Sequence, residues 1–228
     1  GVIAVSDARS GEGRCSLAPP LEQRKAVLAL ALSPDGRLAA SGGYPPHAGR
    51  LWDLDSGEEI CVWDSATPGG HRGVWAAVAF SPDGLSLATG GDDMAVLVWD
   101  VPSLLRARTT TPQSGESCAL SARLRLRGHD GREGCACSPY EEVDSACKVV
   151  GHQHVVTAVA FSPSGTLLVS GSLDSLVKIW RAEDGTMLRT IDLGCEVFCL
   201  AAGRDFLRDQ RCVAFAMGLH PRLGGGAQ

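Results

Sequence analysis

The sequence predicts an all-β protein built from repeated antiparallel units, and two observations carry this prediction. Residues 151–181 contain three apolar runs of strand length, separated by polar turn signals, within about thirty residues. The same arrangement occurs earlier in the chain, at residues 70–100, in the same register. The hydrophobic fraction of 44% and the charged fraction of 21% are those of a folded domain with an apolar core.

Four residue types fix the register of the repeat. A histidine, a hydroxyl residue, an aspartate and a tryptophan occur at identical spacing in two copies: His71, Thr89, Asp93 and Trp99, then His152, Ser170, Asp174 and Trp180. The interval from His to Trp is 28 residues in each copy (71 to 99 and 152 to 180). A third copy passes through the turn Ser33-Pro34-Asp35-Gly36 and reaches Trp52. Three copies in one register predict a repeat architecture.

These signals resemble those of the WD40-repeat family, whose repeat begins near Gly-His and ends near Trp-Asp. The corresponding pairs here are Gly70-His71, Gly151-His152, Trp52-Asp53 and Trp99-Asp100. In that family each repeat supplies one four-stranded antiparallel blade of a β-propeller. The resemblance covers roughly residues 1–193 and implies an all-β, WD40-type β-propeller.

The resemblance also implies blade boundaries. Full blades are expected at residues 21–65, 70–108 and 151–193. A partial blade is expected at residues 1–18, and partial strands with a flexible tail at residues 194–228. Residues 124–150 predict either a degenerate blade or a place where sequence is missing, because the Ser-to-Asp interval there is 6 residues (138 to 144) instead of 12 (162 to 174). About three full blades predict an incomplete propeller with open edges.

The repeated polar residues can satisfy one another in a buried network. An indole only donates, a hydroxyl donates and accepts, and a carboxylate only accepts. Trp99 can therefore donate to Thr89, Thr89 to one nitrogen of His71, and the other nitrogen to Asp93, which satisfies every member. The first unit departs from this pattern, because Gln23 stands where His is expected and residues 43–49 contain no Asp.

The same residue types occur in serine-hydrolase triads, here as Ser170, His152 and Asp174. A nucleophile is needed once, whereas this set occurs twice with identical spacing. The duplication favours structural tetrads that repeat with the fold. We therefore expect no enzymatic activity and no cofactor.

The nine cysteines leave a second alternative open. Residues 129–154 hold histidines and cysteines that a zinc-dependent or enzymatic module could use: His129, Cys135, Cys137, Cys147, His152 and His154. Against this, His129 and His152 are repeat histidines, and Cys137 and Cys147 occupy columns that hold Phe and Val in another copy. We expect no metal, and reduced thiols in an intracellular protein of the cytoplasm or nucleus.

Charge and hydropathy exclude two classes of partner. The net charge is −5, and the basic residues are scattered, which is unlike the basic patch of a nucleic-acid-binding protein. No apolar run approaches the roughly twenty residues of a membrane-spanning helix. Other proteins or peptides are the expected partners, in preference to a small molecule, a nucleic acid or a membrane.

The resemblance places partner binding on the rim where the Gly-His loops meet the Asp-bearing turns. The rim positions lie three and five residues after the His and one before the tetrad Asp: Val74, Ala76, Asp92, Val155, Thr157 and Leu173. Ala26 and Leu28 take the first two positions in the divergent unit. This small, apolar set predicts a scaffold or adaptor that contacts hydrophobic peptides. Trp75 shares a column with Val27 and Val156 and is expected in the core.

Overall fold

The computed structural model describes residues 1–46, 48–64, 67, 69–108, 120–126, 154–202 and the backbone of 213–217. The described strands form three four-stranded and two two-stranded antiparallel sheets. The predicted all-β class and the incomplete propeller are confirmed. The segment 127–153, which contains His152 and nearly all of the predicted degenerate blade, lies outside the described residues.

The first part of the chain forms a half-sheet and a complete blade. The N-terminal half-sheet pairs β1 (Ile3–Ser6) with β2 (Gly13–Leu17). A 3₁₀ turn at Leu21–Gln23 precedes blade 1. Blade 1 contains β3 (Val27–Leu32), β4 (Leu38–Gly43), β5 (Gly49–Asp53) and β6 (Glu59–Trp63), paired in chain order.

Blade 2 contains a helix between its third and fourth strands. Its elements are β7 (Trp75–Phe80), β8 (Ser86–Gly91), β9 (Val96–Asp100), α1 (Val101–Arg108) and β10 (Leu124–Leu126). The helix begins where Asp100 accepts a hydrogen bond from the backbone N–H of Ser103 (2.9 Å), as an N-cap residue does. No helix in the described part of the chain is long and apolar enough to cross a membrane.

The boundary of blade 2 differs from the sequence-based one. Strand β10 pairs with β9 and is the outer strand of this blade. The repeat pattern in the sequence had predicted that residues 124–126 belong to the degenerate unit and that the blade ends near residue 108. Arg123, just before β10, donates to the carbonyls of Ala182 and Glu183 (3.0 and 2.9 Å). Blade 2 therefore reaches its outer strand only after the helix.

The last part of the chain repeats the pattern of the first. Blade 3 contains β11 (Val156–Phe161), β12 (Leu167–Ser172), β13 (Leu176–Arg181) and β14 (Met187–Asp192). The C-terminal half-sheet pairs β15 (Val197–Ala202) with β16 (Val213–Met217).

The Ser-Pro-x-Gly turns join the first and second strands of each complete blade. In blade 2 the Ser81 hydroxyl accepts a hydrogen bond from the backbone N–H of Ser86 (2.9 Å), and Gly84 has φ +73°, which favours glycine. The Asp83 carboxylate accepts from the N–H of Leu85 (3.0 Å). The turn thus sets the register of β7 against β8.

Neighbouring blades meet at glycines in their second strands. Gly42, Gly90 and Gly171 each face the first strand of the next sheet, against Trp75, Val156 and Val197 respectively. A Cβ at these glycines would lie 2.8, 2.6 and 2.5 Å from the facing residue. The close approach therefore requires the absence of a side chain, and the same contact is used at three successive junctions.

The apolar core lies between sheets. One cluster joins blades 1 and 2, and in it Trp63, Trp75 and Trp99 pack with ring centroids 5.0 to 5.7 Å apart. Trp75 is 1% exposed, which confirms its predicted place in the core. A second cluster joins blades 2 and 3, and a third joins the N-terminal half-sheet to Trp52 of blade 1. Sheet-to-sheet packing therefore holds the fold together.

Substituting Gly90 with alanine should destabilise the protein, because the new methyl group would overlap Val156 Cγ1 (2.6 Å) and its carbonyl oxygen (2.9 Å). Overpacking of this kind costs about 1–3 kcal/mol of unfolding free energy, measurable by urea denaturation. Gly13→Ala is the matched control in β2, because nothing lies within 4 Å of its added Cβ. Equal effects of the two substitutions would contradict the proposed junction.

Candidate functional site

A continuous hydrogen-bonded chain links the four polar and aromatic residues of blade 2. The Trp99 indole N–H donates to Thr89 Oγ1 (3.0 Å), and Thr89 Oγ1 lies 2.9 Å from His71 Nε2. His71 Nδ1 lies 2.6 Å from Asp93 Oδ1. When His71 Nδ1 carries the proton, each donor in the chain meets an acceptor.

The local fold brings these residues together from four places. Thr89 lies on β8 and Trp99 on β9, whereas His71 precedes β7 and Asp93 lies in the β8–β9 turn. The Thr89, His71 and Trp99 residues are at most 1% exposed. The His71 ring also packs edge-on against Trp75, with centroids 5.1 Å apart. The network ties the loop that enters the blade to its second and third strands.

Arg125 on β10 extends this network and was not predicted from the sequence. Its guanidinium Nη2 donates to Asp93 Oδ2 (3.0 Å) and to the carbonyl oxygen of Gly70 (2.8 Å). Both carboxylate oxygens of Asp93 are therefore engaged. The alternation of Leu124, Arg125 and Leu126 was the available signal, because it places the arginine on the opposite face from the two leucines.

The electrostatics favour a charged Asp93. Burial acts to raise the pKa of Asp93, but the hydrogen bond with His71, the attraction to His71 and the attraction to Arg125 outweigh it. The pKa of Asp93 therefore lies below its ordinary value of 3.8. A carboxylate held in this way favours the folded state at neutral pH.

Blade 1 keeps one bond of the network and replaces the rest. Trp52 Nε1 donates to Ser41 Oγ (3.0 Å). Gln23, at the predicted His position, accepts from Arg50 Nη2 (3.0 Å), and Arg50 Nη1 also binds Glu59. An arginine on the third strand thus occupies the place that a His–Asp pair takes in blade 2.

Blade 3 keeps the same indole–hydroxyl bond. Trp180 Nε1 donates to Ser170 Oγ (2.8 Å), and the Asp174 carboxylate accepts from the N–H of Leu176 (2.9 Å). His152, the third predicted member, lies outside the described residues. Lys178 lies opposite Ser170 in the register, where burial lowers the pKa of Lys178 and Asp174 opposes that shift.

The predicted rim residues pair through the backbone in two blades. The N–H of Asp92 donates to the carbonyl of Val74, and the N–H of Leu173 donates to the carbonyl of Val155, both at 3.1 Å. These four side chains are partly exposed. The Asp92 carboxylate lies over Gly73, where a Cβ would be only 2.2 Å from Oδ1. The structure therefore brings two equivalent pairs to the same end of blades 2 and 3.

The other two rim residues differ from each other. Ala76 is partly exposed. Thr157 is also partly exposed, but its hydroxyl donates to the carbonyl of Gly171 (3.3 Å) and to that of Val197 in the next sheet. The Thr157 hydroxyl proton therefore lies between the carbonyls of two sheets.

Tyr44 occupies a rim position that was not predicted from the sequence. Val27 pairs with Gly43, as Trp75 pairs with Gly91, so Tyr44 in blade 1 corresponds to Asp92 in blade 2. Its side chain is exposed at 47%. The position was missed because it was counted back from a tetrad Asp, which blade 1 lacks. Counting forward from Gly42-Gly43, the match to Gly90-Gly91, would have found it.

The predicted zinc alternative cannot be placed on the described residues. His129, Cys135, Cys137 and Cys147 lie outside them, and His154 accepts a hydrogen bond from the N–H of Val155 (2.9 Å). No group of three or more possible metal ligands occurs in the part of the chain that the structure describes. Cys61 is disulfide-bonded, which departs from the expectation of reduced thiols at this one residue, whereas Cys15 and Cys199 are free.

Comparison with known proteins identifies repeats in the chain. The family model described as WD domain, G-beta repeat matches residues 65–100 and 145–181. Protein hir1 of Schizosaccharomyces pombe is 26% identical over 203 residues, which cover 74% of this chain and 21% of that protein. Nuclear distribution protein PAC1 of Arthroderma otae is 30% identical over 145 residues, which cover 53% of this chain and 29% of that protein. The chain therefore matches less than a third of the length of either relative.

Asp93→Asn should lower the unfolding free energy at neutral pH by about 1.5–3 kcal/mol, because bonds to a charged acceptor are lost. Since the pKa of Asp93 is depressed in the folded state, its stabilisation is present above pH 3.8 and is lost as the pH falls through the folded-state pKa. Urea denaturation over a pH series should show the difference between wild type and variant shrinking below that value.

Asp55→Asn is the control, because Asp55 lies exposed on the β5–β6 turn. Its substitution should change the unfolding free energy by less than about 0.5 kcal/mol. A pH-independent difference for Asp93→Asn would show that the carboxylate charge contributes nothing.

Proposed function

We propose that this chain, which carries WD40 repeats, is a non-catalytic scaffold or adaptor that binds proteins or peptides on its rim. The observation that carries the proposal is the repeated rim geometry of blades 2 and 3. Two loop–turn pairs, Val74 with Asp92 and Val155 with Leu173, have the same backbone bond of 3.1 Å at the same end of adjacent blades. A rigid row of partly exposed side chains suits an extended partner.

The buried network supports a scaffold over an enzyme. In blade 2 the Thr89 hydroxyl bonds to Trp99 and to one nitrogen of His71. The other nitrogen of His71 bonds to Asp93. Thr89 is 0% exposed and His71 is 1% exposed, so a substrate would have no access to either group. The triad-like composition is better explained by its part in holding the strands.

The side chains of the rim indicate the kind of partner. Val74, Val155 and Leu173 are apolar, Asp92 supplies one carboxylate, and Tyr44 adds an exposed aromatic ring at the matching position of blade 1. Aromatic and aliphatic anchors in such a row suit the apolar side chains of a peptide. We therefore propose a peptide or protein partner with an apolar segment.

We also propose that the protein acts inside the cell, in the cytoplasm or the nucleus. The support is that Cys15 and Cys199 are free thiols, as in most intracellular proteins. The disulfide bond at Cys61 argues against this location, because such bonds are rare in the cytoplasm and the nucleus.

The double substitution Asp92→Arg and Leu173→Arg should abolish partner capture without unfolding the chain, because both side chains are partly exposed on the rim. Affinity capture from a cell extract, with quantitative mass spectrometry, should show a set of proteins retained by wild type and lost with the variant. Circular dichroism should show unchanged secondary structure.

The matched control is Asp55→Arg with Leu85→Arg, one acid and one leucine at the opposite end of the sheets, both exposed. The control should retain the captured set. Equal capture by the rim variant and wild type would refute the rim as the binding surface.

A further inference from the structure

The turn between the first two strands of blade 3 differs from its counterparts in charge. All three complete blades have a Ser-Pro-x-Gly turn at this place, and x is Asp35 in blade 1, Asp83 in blade 2 and Ser164 in blade 3. Ser164 is exposed, at the opposite end of the blade from Val155 and Leu173 of the rim. Blade 3 therefore has a neutral hydroxyl where blades 1 and 2 have a carboxylate.

The turns of blades 1 and 2 show what the carboxylate does. In blade 2, Asp83 Oδ1 accepts hydrogen bonds from Ser81 Oγ (2.5 Å) and from the N–H of Leu85 (3.0 Å). In blade 1, Asp35 Oδ1 accepts from the two corresponding groups at 2.5 and 3.1 Å. The bond from the serine hydroxyl is the main cause that lowers the pKa of both aspartates below the ordinary value of 3.8. The turn therefore favours a negative charge at this position.

Blade 3 keeps the polar groups that surround this position. Thr166 Oγ1 lies 2.8 Å from Ser164 Oγ, and Ser162 Oγ lies 3.1 Å from it. The backbone N–H of Thr166 donates to the same oxygen (3.4 Å). The Ser162 hydroxyl and this N–H are the groups that bind the carboxylate in blades 1 and 2. Because a hydrogen bond to a charged acceptor is roughly twice as strong as a neutral one, an anion would bind them more strongly than the hydroxyl does.

The packing of the turns leaves room for a charge beside blade 2. A Cβ at Gly84 would lie 3.6 Å from Pro34 Cδ, and a Cβ at Gly165 would lie 3.7 Å from Pro82 Cδ, so the turns of successive blades stack in the same way. The exposed residue of the blade 3 turn therefore lies beside blade 2 as Asp83 lies beside blade 1. In that earlier pair both turns carry an aspartate, so two such charges are compatible with the stacking.

Two arginines supply positive charge next to the blade 3 turn. Ser164 lines a cleft with a volume of about 460 Å³ between blades 2 and 3, and Arg123 and Arg181 line the same cleft. Two acids, Asp83 and Glu183, line it as well, so these charged groups balance. The oxygens of a phosphate lie farther from the backbone than those of an aspartate. A phosphate on Ser164 would therefore reach further into the cleft, where guanidinium groups are good phosphate donors.

We propose that Ser164 is a phosphorylation site, with ATP as the phosphate donor and a protein kinase as the catalyst. Ser164 Oγ forms a bond to the γ-phosphorus of ATP, and the bond between that phosphorus and the bridging oxygen breaks. ADP leaves with the electron pair of the broken bond, and the hydroxyl proton passes to the base of the kinase. The phosphoserine carries a charge of about −1.5 to −2 at neutral pH, which gives blade 3 the anion that blades 1 and 2 have in their sequence.

The direct test locates phosphate on the full 228-residue chain. The folded chain is incubated with ATP and an extract of eukaryotic cells as the source of kinase, and the modified residue is identified by peptide fragmentation in a mass spectrometer. We expect phosphate on Ser164 and none on Ser162 of the same turn, which is 0% exposed. Ser164→Ala should remove the phosphate from this turn. A chain that gains no phosphate at Ser164 would overturn the proposal.

Ser164→Asp tests whether the blade 3 turn accepts a negative charge. It should raise the urea concentration at the midpoint of unfolding, because it restores the carboxylate bonds of the blade 2 turn. Ser164→Asn is the matched control, since its side chain has nearly the same shape and no charge, and its midpoint should lie below that of Ser164→Asp. If the aspartate variant has no higher midpoint than the asparagine variant, the turn has no preference for an anion and the proposal is wrong.

The modification does not rest on the proposed rim function. The rim variant Asp92→Arg with Leu173→Arg leaves the Ser-Pro-Ser-Gly turn unchanged, so it should gain phosphate at Ser164 to the same extent as wild type. A rim variant that loses partner capture and still gains this phosphate would separate the two surfaces. Failure of one proposal is therefore distinguishable from failure of the other.

Discussion

The hydrogen bond from a third-strand indole to a second-strand hydroxyl is the interaction on which each blade depends. It joins Trp52 to Ser41, Trp99 to Thr89 and Trp180 to Ser170, at 2.8 to 3.0 Å. Each tryptophan also packs against the preceding sheet, so one side chain fixes both the strand pairing and the junction. A buried hydroxyl that loses this donor, or an indole that loses its acceptor, would carry the cost of an unsatisfied polar group.

Around this constant bond the blades vary. Blade 2 adds the His71–Asp93 pair and Arg125, whereas blade 1 uses Arg50 with Gln23 and Glu59. Both solutions bring the loop that enters the blade to its later strands. The polar groups of these networks already hydrogen-bond to one another. The side chains available to a partner therefore lie at the rim, outside the networks. Residues that stabilise the blades and residues of the proposed binding surface are thus neighbours in the sequence.

Periodicity and turn chemistry were enough to predict the three complete blades, because each first-to-second strand turn contains a Ser-Pro-x-Gly signal and each third strand ends near a tryptophan. The extent of blade 2 was not predicted, because its outer strand follows a helix and a long connection. The Asp100 cap and Pro102 were the signals for that helix. Arg50 and Arg125 escaped prediction because their partners are distant in sequence. Tyr44 was missed because the aspartate used as a reference is absent from its blade.

The contribution of the indole–hydroxyl bond can be measured by comparing the unfolding free energies in urea of two Thr89 variants. Thr89→Ser keeps the hydroxyl that Ser41 and Ser170 supply in the other blades, whereas Thr89→Val keeps the shape and removes the hydroxyl. We expect the valine variant to lose about 1–3 kcal/mol more than the serine variant, because the Trp99 donor and His71 are left without their shared partner. Equal losses, or a valine variant more stable than the serine variant, would show that the hydroxyl does not hold the blade together.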